Sequence, residues 1–423
     1  MLRGRTIRFE EQKKPHGAAA ADALIMRRNV TSYLLGATRA DDIFSINEEH
    51  GSLFNTINLA TAMHCLATQW SKDWCRLRLD PRAGAPLEDI IATPKAYFQP
   101  RLLANLLWAL AKLGIKTVSL FHDAALDAVL RLRPFHTHDL AIIAWAFARA
   151  EVKAPLLFEA LAAEAVHRLG EFNGQDCSNV VWAFAKLEVK APALLESVAM
   201  ALRPRLTRRF KAEALTKMLW AFATAGVDAQ ALFEAVVENA MPRLGKFSTH
   251  DFANMVWALA TARVDAPALF AAVAAELSLC KRVFSSQELA MIVWAFTTAG
   301  VDAPALFETA ASQATPRLGE FGSEQLADTA WAFAKLGVEA PALFEALAAE
   351  AVTRLGDFST DALAKILWAF ATLRVEAPTL LMSAAAYAAP RLGNLTQYEL
   401  AKTLWAFHVA DDCDLLMQAV QGR

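Results

Sequence analysis

The sequence is poor in cysteine, with five cysteines among 423 residues and no C-x-x-C pair. Because the five are odd in number and far apart, they indicate neither a disulfide framework nor a zinc site. We expect them to be small buried residues in a reducing compartment.

Charge and long apolar runs are also scarce. Charged residues make up 20% of the chain, the formal net charge is −2 and the sequence pI is about 6.5. A compact nucleic-acid-binding domain is usually basic, so the total charge disfavours one until the charges are mapped onto faces. No apolar stretch approaches the roughly 18 residues that a membrane span needs. The 55% of hydrophobic residues therefore predicts a protein interior, and we expect no membrane insertion.

Catalytic motifs are missing as well. The nine histidines are scattered, and His136 and His138 have no Cys or carboxylate partner at metal-ligand spacing. The sequence has neither a phosphate-binding G-x-x-x-x-G-K-[ST] nor a G-x-S-x-G motif. We therefore expect no enzyme, no catalytic residues, no metal and no cofactor.

Tryptophan marks an internal repeat. A Phe lies ten residues before the Trp in eight of nine units, and Leu395 takes its place in the last. One more unit lies upstream, where Phe54 precedes His64 by ten residues. The nine Trp residues follow at intervals of 37 or 38: Trp108, Trp145, Trp182, Trp220, Trp257, Trp294, Trp331, Trp368 and Trp405. This period overrides the two or three globular domains that length alone suggests.

Each repeat carries the signals of two helices. Helix A begins at a Ser or Thr with an acid three residues later, as in Ser248 with Asp251, and often ends before a Gly such as Gly226. Helix B begins at Ala-Pro, as at Pro155, and ends at Arg-Leu-Gly. Neither helix can bury its apolar face alone. We therefore predict an all-α fold, an α-solenoid of about ten two-helix repeats of 37–38 residues, with the Trp side chains largely buried.

Four regions are predicted along the chain. They are an N-terminal extension at 1–40, a degenerate first repeat at 41–78, a linker with several prolines at 79–97, and a nine-repeat solenoid at 98–423. The extension is rich in Arg and Ala and poor in acids, which is typical of an organelle transit peptide. Two adjacent glutamates leave a plain extension as the alternative.

Helical phase divides helix A into two faces. With each Trp as position 0, positions −5, −4, −2, −1, +2 and +3 are apolar and span roughly 160°. Positions −7, −3 and +4 lie within about 40° of one another on the opposite side and differ between repeats. We call these three positions the polar strip and predict that it lines the concave surface. We expect an acidic row on helix B to face outward: Glu159, Glu196, Glu234, Glu308 and Glu345.

The polar strip carries side chains that match the donors and acceptors of base edges, and cations that match phosphates. Solvated faces usually hold Lys and Glu, whereas this strip holds many short hydrogen-bonding residues beside Ala. A polar face with no partner remains the alternative. The predicted RNA-binding residues are Asn105, Lys112, Arg149, Asn179, Lys186, Lys217, Asn254, Asp328, Lys335, Lys365 and Lys402.

A row of arginines lies at the C-terminal end of helix B in successive repeats. These arginines either complement the helix dipole and pair with nearby glutamates, or contact phosphate, and the sequence leaves both readings open. Cys280 stands in the one repeat that lacks the arginine. The row comprises Arg131, Arg168, Arg205, Arg243, Arg317, Arg354 and Arg391.

The repeat unit F-S-x-x-[DE]-L-A-x-x-x-W-A-F-A-x-x-x-V, over residues 50–420, resembles the octotricopeptide and heptatricopeptide repeats of organellar RNA-binding proteins. These repeats are akin to the leucine-rich region of FAST-kinase-like proteins. The resemblance implies a right-handed α-solenoid in a chloroplast or mitochondrion, acting in RNA processing, stability or translation. Many such proteins end in a nuclease-like RAP domain. We expect none here and carry over no cleavage activity.

The predicted function is sequence-selective binding of single-stranded RNA, about one nucleotide per repeat. The alternative is a protein-protein interaction scaffold, because solenoids use the same concave surface for partner subunits.

Overall fold

The computed structural model describes residues 18–51, 54–69, 89–206, 210–279 and 282–388, and the single residues 396, 397, 401, 404, 405 and 408. The chain divides into two compact units, Met1–Leu194 and Leu195–Arg423, called here the N-terminal and C-terminal units. All regular secondary structure in these described residues is helical. Each unit is an all-α solenoid of two-helix repeats, as predicted.

We name each repeat by its Trp. The A helices of the described repeats span Pro100–Lys112, Thr137–Ala150, Gly174–Lys186, Ala212–Ala225, Thr249–Thr261, Ser286–Thr298, Ser323–Leu336 and Thr360–Thr372. Their B helices span Val118–Leu130, Pro155–His167, Pro192–Leu202, Gln230–Ala240, Pro267–Leu279, Pro304–Ala314, Pro341–Thr353 and Pro378–Ala388.

Three helices precede these repeats. Thr56–Gln69 is the A helix of the degenerate first repeat, and it packs against the A helix of the Trp108 repeat. Ala18–Gly36 and Ala40–His50 both contact Thr56–Gln69. Ala18–Gly36 lies within the predicted extension at 1–40, so this part of the extension is helical and packs on the solenoid.

The helix boundaries follow the predicted signals. Six B helices begin at the predicted prolines, where the missing N–H has no intrahelical partner to lose. Ser248 and Asp251 form a capping box, with Oγ of Ser248 accepting from the Asp251 backbone N–H at 3.1 Å. Gly226 ends its A helix in the left-handed region with φ +64°. Glu399, the expected acidic partner of Thr396, lies outside the described residues.

Phenylalanine pairs join successive repeats through the core. Phe121 on helix B of the Trp108 repeat makes an edge-to-face contact with Phe147 on the next helix A, with ring centroids 5.1 Å apart. Phe158 and Phe184 repeat the contact at 5.0 Å. All four rings are at most 1% exposed. Edge-to-face pairs of this kind add about 0.5–1.5 kcal/mol to the area buried.

The tryptophans are buried less than predicted. Every Trp of the row from Trp108 to Trp368 is only half-buried, and Trp405 is 41% exposed. The reason is helical phase: the Trp lies only about 20° from position −7 and about 40° from position +4. The Trp row therefore borders the polar strip instead of belonging to the closed core.

Candidate nucleic-acid interface

In each unit the A helices form one layer and the B helices form another. Neighbouring A helices within a unit pack against one another more extensively than neighbouring B helices do. Trp145 and Trp182 have ring centroids 6.4 Å apart, and Trp220 and Trp257 have theirs 6.3 Å apart. Packed helix axes are about 8–10 Å apart, so the Trp side chains converge on one surface of the A layer.

The polar strip is accessible on the same surface. Asn105, Asn179 and Asn254 at position −3 are half-buried, whereas Arg149 and Lys186 at position +4 are exposed. The helix B glutamates of the acidic row are all exposed. Lys402 lies outside the described residues. The polar strip and the acidic row are therefore both accessible, on different helices of each repeat; that the strip lines a concave surface stays a prediction.

The strip of the N-terminal unit is basic. In the Trp108, Trp145 and Trp182 repeats it holds Arg101, Lys112, Arg149 and Lys186, and none of its nine positions is a carboxylate. Lys112 lies over the Trp108 ring, with its Nζ 4.7 Å from the ring centroid. Such a cation–π contact holds the ammonium group at the edge of the Trp row.

The strip of the C-terminal unit differs, because its cations are mostly paired. Lys217 donates to Glu213 at 3.1 Å. Lys365 lies 2.8 Å from Asp361, 3.2 Å from Asp328 and 4.0 Å from Glu324. Burial acts to lower the pKa of Lys365, but hydrogen bonds and the attraction of these carboxylates outweigh it and raise the pKa.

The predicted RNA-binding residues therefore fall into two groups. Lys112, Arg149 and Lys186 share one acid-free strip with Asn105 and Asn179. Asp328, Lys217 and Lys365 are held in ion pairs within the protein. Lys335 is exposed and forms no ion pair among the described residues.

Residues 97–241 and 200–419 match the family model described as RNA-editing substrate-binding complex 6 protein. The two matches together cover more than half of the chain and overlap at 200–241, as matches to a repeated sequence do. The chain belongs to this family.

Membership of the RNA-editing substrate-binding complex 6 family makes the chain an RNA-associated helical-repeat protein. The match does not single out the octotricopeptide or FAST-kinase-like family that the repeat unit resembles. No curated protein matches the chain significantly.

Arginines of the row link the end of helix B to the beginning of helix A in the same repeat, and Arg391 lies outside the described residues. Arg168 donates through Nη1 to the backbone carbonyl of Phe135 at 2.9 Å and through Nη2 to Glu171 at 2.9 Å. Arg317 and Arg354 make the same bonds to the carbonyls of Phe284 and Phe321. Hydrogen bonds and the attraction of Glu171 and Glu164 raise the pKa of Arg168 despite its burial. Of the two open readings, this geometry supports the structural one.

Sequence alignment of the repeats missed one member of that row. In the Trp257 repeat Arg282, two residues beyond Cys280, donates to the Phe247 carbonyl at 2.6 Å. Cys280 itself lies outside the described residues. The only signal in the sequence was that a basic residue, Arg282, follows shortly after position 280. The alignment of the repeats does not show that its side chain reaches the Phe247 carbonyl.

Position −7 also proves to have a structural role that the sequence did not indicate. Nδ1 of His138 lies 2.8 Å from Oδ1 of Asp176 in the next repeat, and Oγ of Ser359 donates to Glu324 at 2.5 Å. The Asp176 side chain is 2% exposed. Among the acids at position −6, Asp251 and Glu288 cap their own helices, as predicted, and Asp176 ties neighbouring A helices together.

Among the described residues no cluster of three or more His, Cys, Asp or Glu side chains is placed to hold a metal ion. Cys65 and Cys177 are buried, and burial raises the pKa of the Cys65 thiol. No helix in the described ranges is both long enough and apolar enough to cross a bilayer.

Proposed function

We propose that the protein binds single-stranded RNA along the polar strip of its N-terminal unit, as a component of an RNA-editing substrate-binding complex. The family name supports the complex and the RNA substrate. The observation that carries the binding site is the acid-free basic strip of Arg101, Lys112, Arg149 and Lys186. Single-strand binders combine a positive groove with adjacent aromatic side chains, and the strip borders the Trp row.

We further propose that the protein is not an enzyme and acts in an organelle. Base selection would come from position −3, where Ile142 differs from Asn105 and Asn179 while position +4 is a cation in all three repeats. An amide can form paired hydrogen bonds with a base edge, whereas a cation attracts every phosphate alike. The chloroplast alternative has no support in the family match.

The test is RNA affinity across a salt series for the wild type and for K112A/R149A/K186A. Single-strand affinity falls with salt at a slope of about −0.7 per phosphate neutralised. Removing three contacts should flatten the slope by about two units and weaken all sequences alike. Changing Asn179 should instead alter which sequence is preferred.

A matched control removes the same charge elsewhere. Lys153 and Lys190 are exposed in loops between helices, and Lys246 is exposed at the end of the 3-10 helix Met241–Lys246, so K153A/K190A/K246A should leave the slope nearly unchanged. Wild-type protein with no RNA affinity at low salt would refute the proposal, and so would equal flattening in both triple variants.

A second candidate function is assembly with a protein through helix B. Val118, Leu126 and Leu130 are 53%, 62% and 87% exposed along one B helix of the N-terminal unit. Neighbouring exposed apolar side chains of this kind mark protein contacts, and the family name includes a complex. L126E/L130E should release a co-purifying partner without changing RNA affinity, and an unchanged set of partners would exclude this surface.

A further inference from the structure

Most tryptophans of the row have an indole N–H group that donates no hydrogen bond to another described residue. In seven of these tryptophans the indole Nε1 atom forms no hydrogen bond within the described part of the chain and is not one of its buried polar atoms without partners. They therefore reach the surface. A buried indole N–H normally finds an acceptor, and Trp is enriched where one end of the side chain is apolar and the other wet. The residues concerned are Trp108, Trp145, Trp220, Trp257, Trp294, Trp331 and Trp368.

The ring faces in this row are largely taken. Trp145 stacks on Trp182 with an interplanar angle of 29°, and Lys112 covers a face of Trp108. His64 lies near Trp108 with ring centroids 5.1 Å apart. Because neighbours occupy the faces, a nucleobase cannot lie flat on each ring as it does on isolated aromatic platforms. The indole edge, with its N–H, is the part left open.

In the N-terminal unit these edges lie beside cations that form no ion pair with another described residue. Lys112 and Arg149 stand four residues after Trp108 and Trp145, one helical turn along the same face. Arg149 is exposed and forms no hydrogen bond or ion pair with another described residue, although its charge attracts the nearby exposed Glu151. A neutral donor next to a cation suits an anionic oxygen acceptor, and hydrogen bonds to charged groups are the stronger kind.

We propose that the indole N–H groups of Trp108 and Trp145 donate to phosphate oxygens of RNA bound on the N-terminal strip. This inference rests on the proposed function. The two donors are chemically identical and lie in successive repeats, so they fix the strand in register with the repeats while position −3 reads the bases. These two tryptophans thereby contribute to RNA binding whatever the base sequence, in addition to packing within the protein.

The Trp257 and Trp294 repeats provide a matched comparison. The Trp257 and Trp294 rings have centroids 6.4 Å apart, the same separation as Trp145 and Trp182, and their indole N–H groups are also open. Their strips contain no Lys or Arg. Position −7 is His250 or Gln287, and position +4 is Thr261 or Thr298. The same Trp→Phe substitution there removes a donor and some packing without removing a phosphate contact.

The experiment compares W108F/W145F with W257F/W294F and the wild type by RNA affinity over a salt series. Each lost N–H to a charged acceptor should weaken binding by about 10-fold or more, so W108F/W145F should lose roughly 100-fold or more. Because a neutral donor releases no counterion, the salt slope should stay unchanged. W257F/W294F should bind within about 2-fold of the wild type, since it loses no charged acceptor.

The outcomes separate this inference from the proposed function. If the wild type binds and K112A/R149A/K186A flattens the slope, but W108F/W145F binds as well as the wild type, the indole contact is overturned and the RNA site stands. Equal losses in both Trp pairs also overturn it, because they would reflect packing. A wild type that does not bind RNA refutes both.

A direct measurement covers the case in which the variants do not fold. Wild-type protein labelled with 5-fluorotryptophan gives one fluorine resonance per Trp. The inference requires RNA to shift the resonances that vanish in W108F and W145F more than those that vanish in W257F and W294F. RNA that shifts only the second pair, or neither pair, contradicts it.

Discussion

At the scale of single residues, the end of helix A requires one left-handed residue in every described repeat. Gly114, Gly226, Gly300 and Gly337 supply it with φ between +64° and +73°. Other repeats use Glu or Arg at the same place, as with Arg263 and Arg374, both at φ +55°. A side chain in this region costs about 1–2 kcal/mol that Gly does not incur.

We predict that R263G/R374G stabilises the protein. Both arginines are exposed and form no side-chain contact with other described residues, so the substitution relieves backbone strain without removing an interaction. After the greater unfolded-state freedom of Gly is subtracted, each site should gain about 0.5–1 kcal/mol. The measurement is the urea unfolding midpoint, which should rise.

The reverse substitution is the control. G300A adds a Cβ with no atom within 4 Å at φ +67°, so it tests backbone strain alone. It should lower the urea midpoint. A lower midpoint for R263G/R374G, or no change in either variant, would show that these turns do not limit stability.

The sequence predicted such positions well because they depend on local chemistry. Pro155 and Gly226 restrict or free one backbone angle, and that effect is the same in any context. The half-buried state of Trp108 could not be predicted in the same way. It depends on where the neighbouring A helix places its own side chains, and the pattern within one helix does not contain that information.

At the scale of the helix pair, the arginine at the end of helix B holds the beginning of helix A. Arg168 is bonded to the Phe135 carbonyl and to two glutamates. Replacing it leaves a carbonyl without its donor, and a buried acceptor without a partner costs about 1–3 kcal/mol. We predict that R168A lowers the unfolding free energy by this amount, measured by urea denaturation.

The same reasoning applies to Arg282, which the repeat register does not place in the row. R282A should destabilise the protein about as much as R168A, because it also serves a Phe carbonyl. Arg133 is exposed and forms no hydrogen bond or ion pair with another described residue. R133A is therefore the control, and its unfolding free energy should be nearly unchanged. If R133A costs as much as R282A, the effect is one of net charge and not of the hydrogen bond.

At the scale of the whole chain, a formal charge of −2 conceals two different strips. Helical phase identified which positions form the strip, because the A helices are regular. It did not identify which cations are available, since Lys365 and Asp328 are 37 residues apart and meet only when neighbouring repeats stack. The candidate site is therefore narrower than the sequence predicted, and it is concentrated in Lys112, Arg149 and Lys186.

This difference between the strips leads to a gain-of-function prediction. In D328N/D361N the two closest carboxylates around Lys365 become neutral amides of the same shape, so the ammonium group is freed for phosphate. RNA affinity at low salt should rise, and the salt slope should become steeper by about 0.7 if Lys365 contacts one phosphate. E308Q/E345Q removes the same charge from exposed helix B positions. Equal gains from both variants would indicate a general charge effect, and no gain from D328N/D361N would confine the RNA to the N-terminal unit.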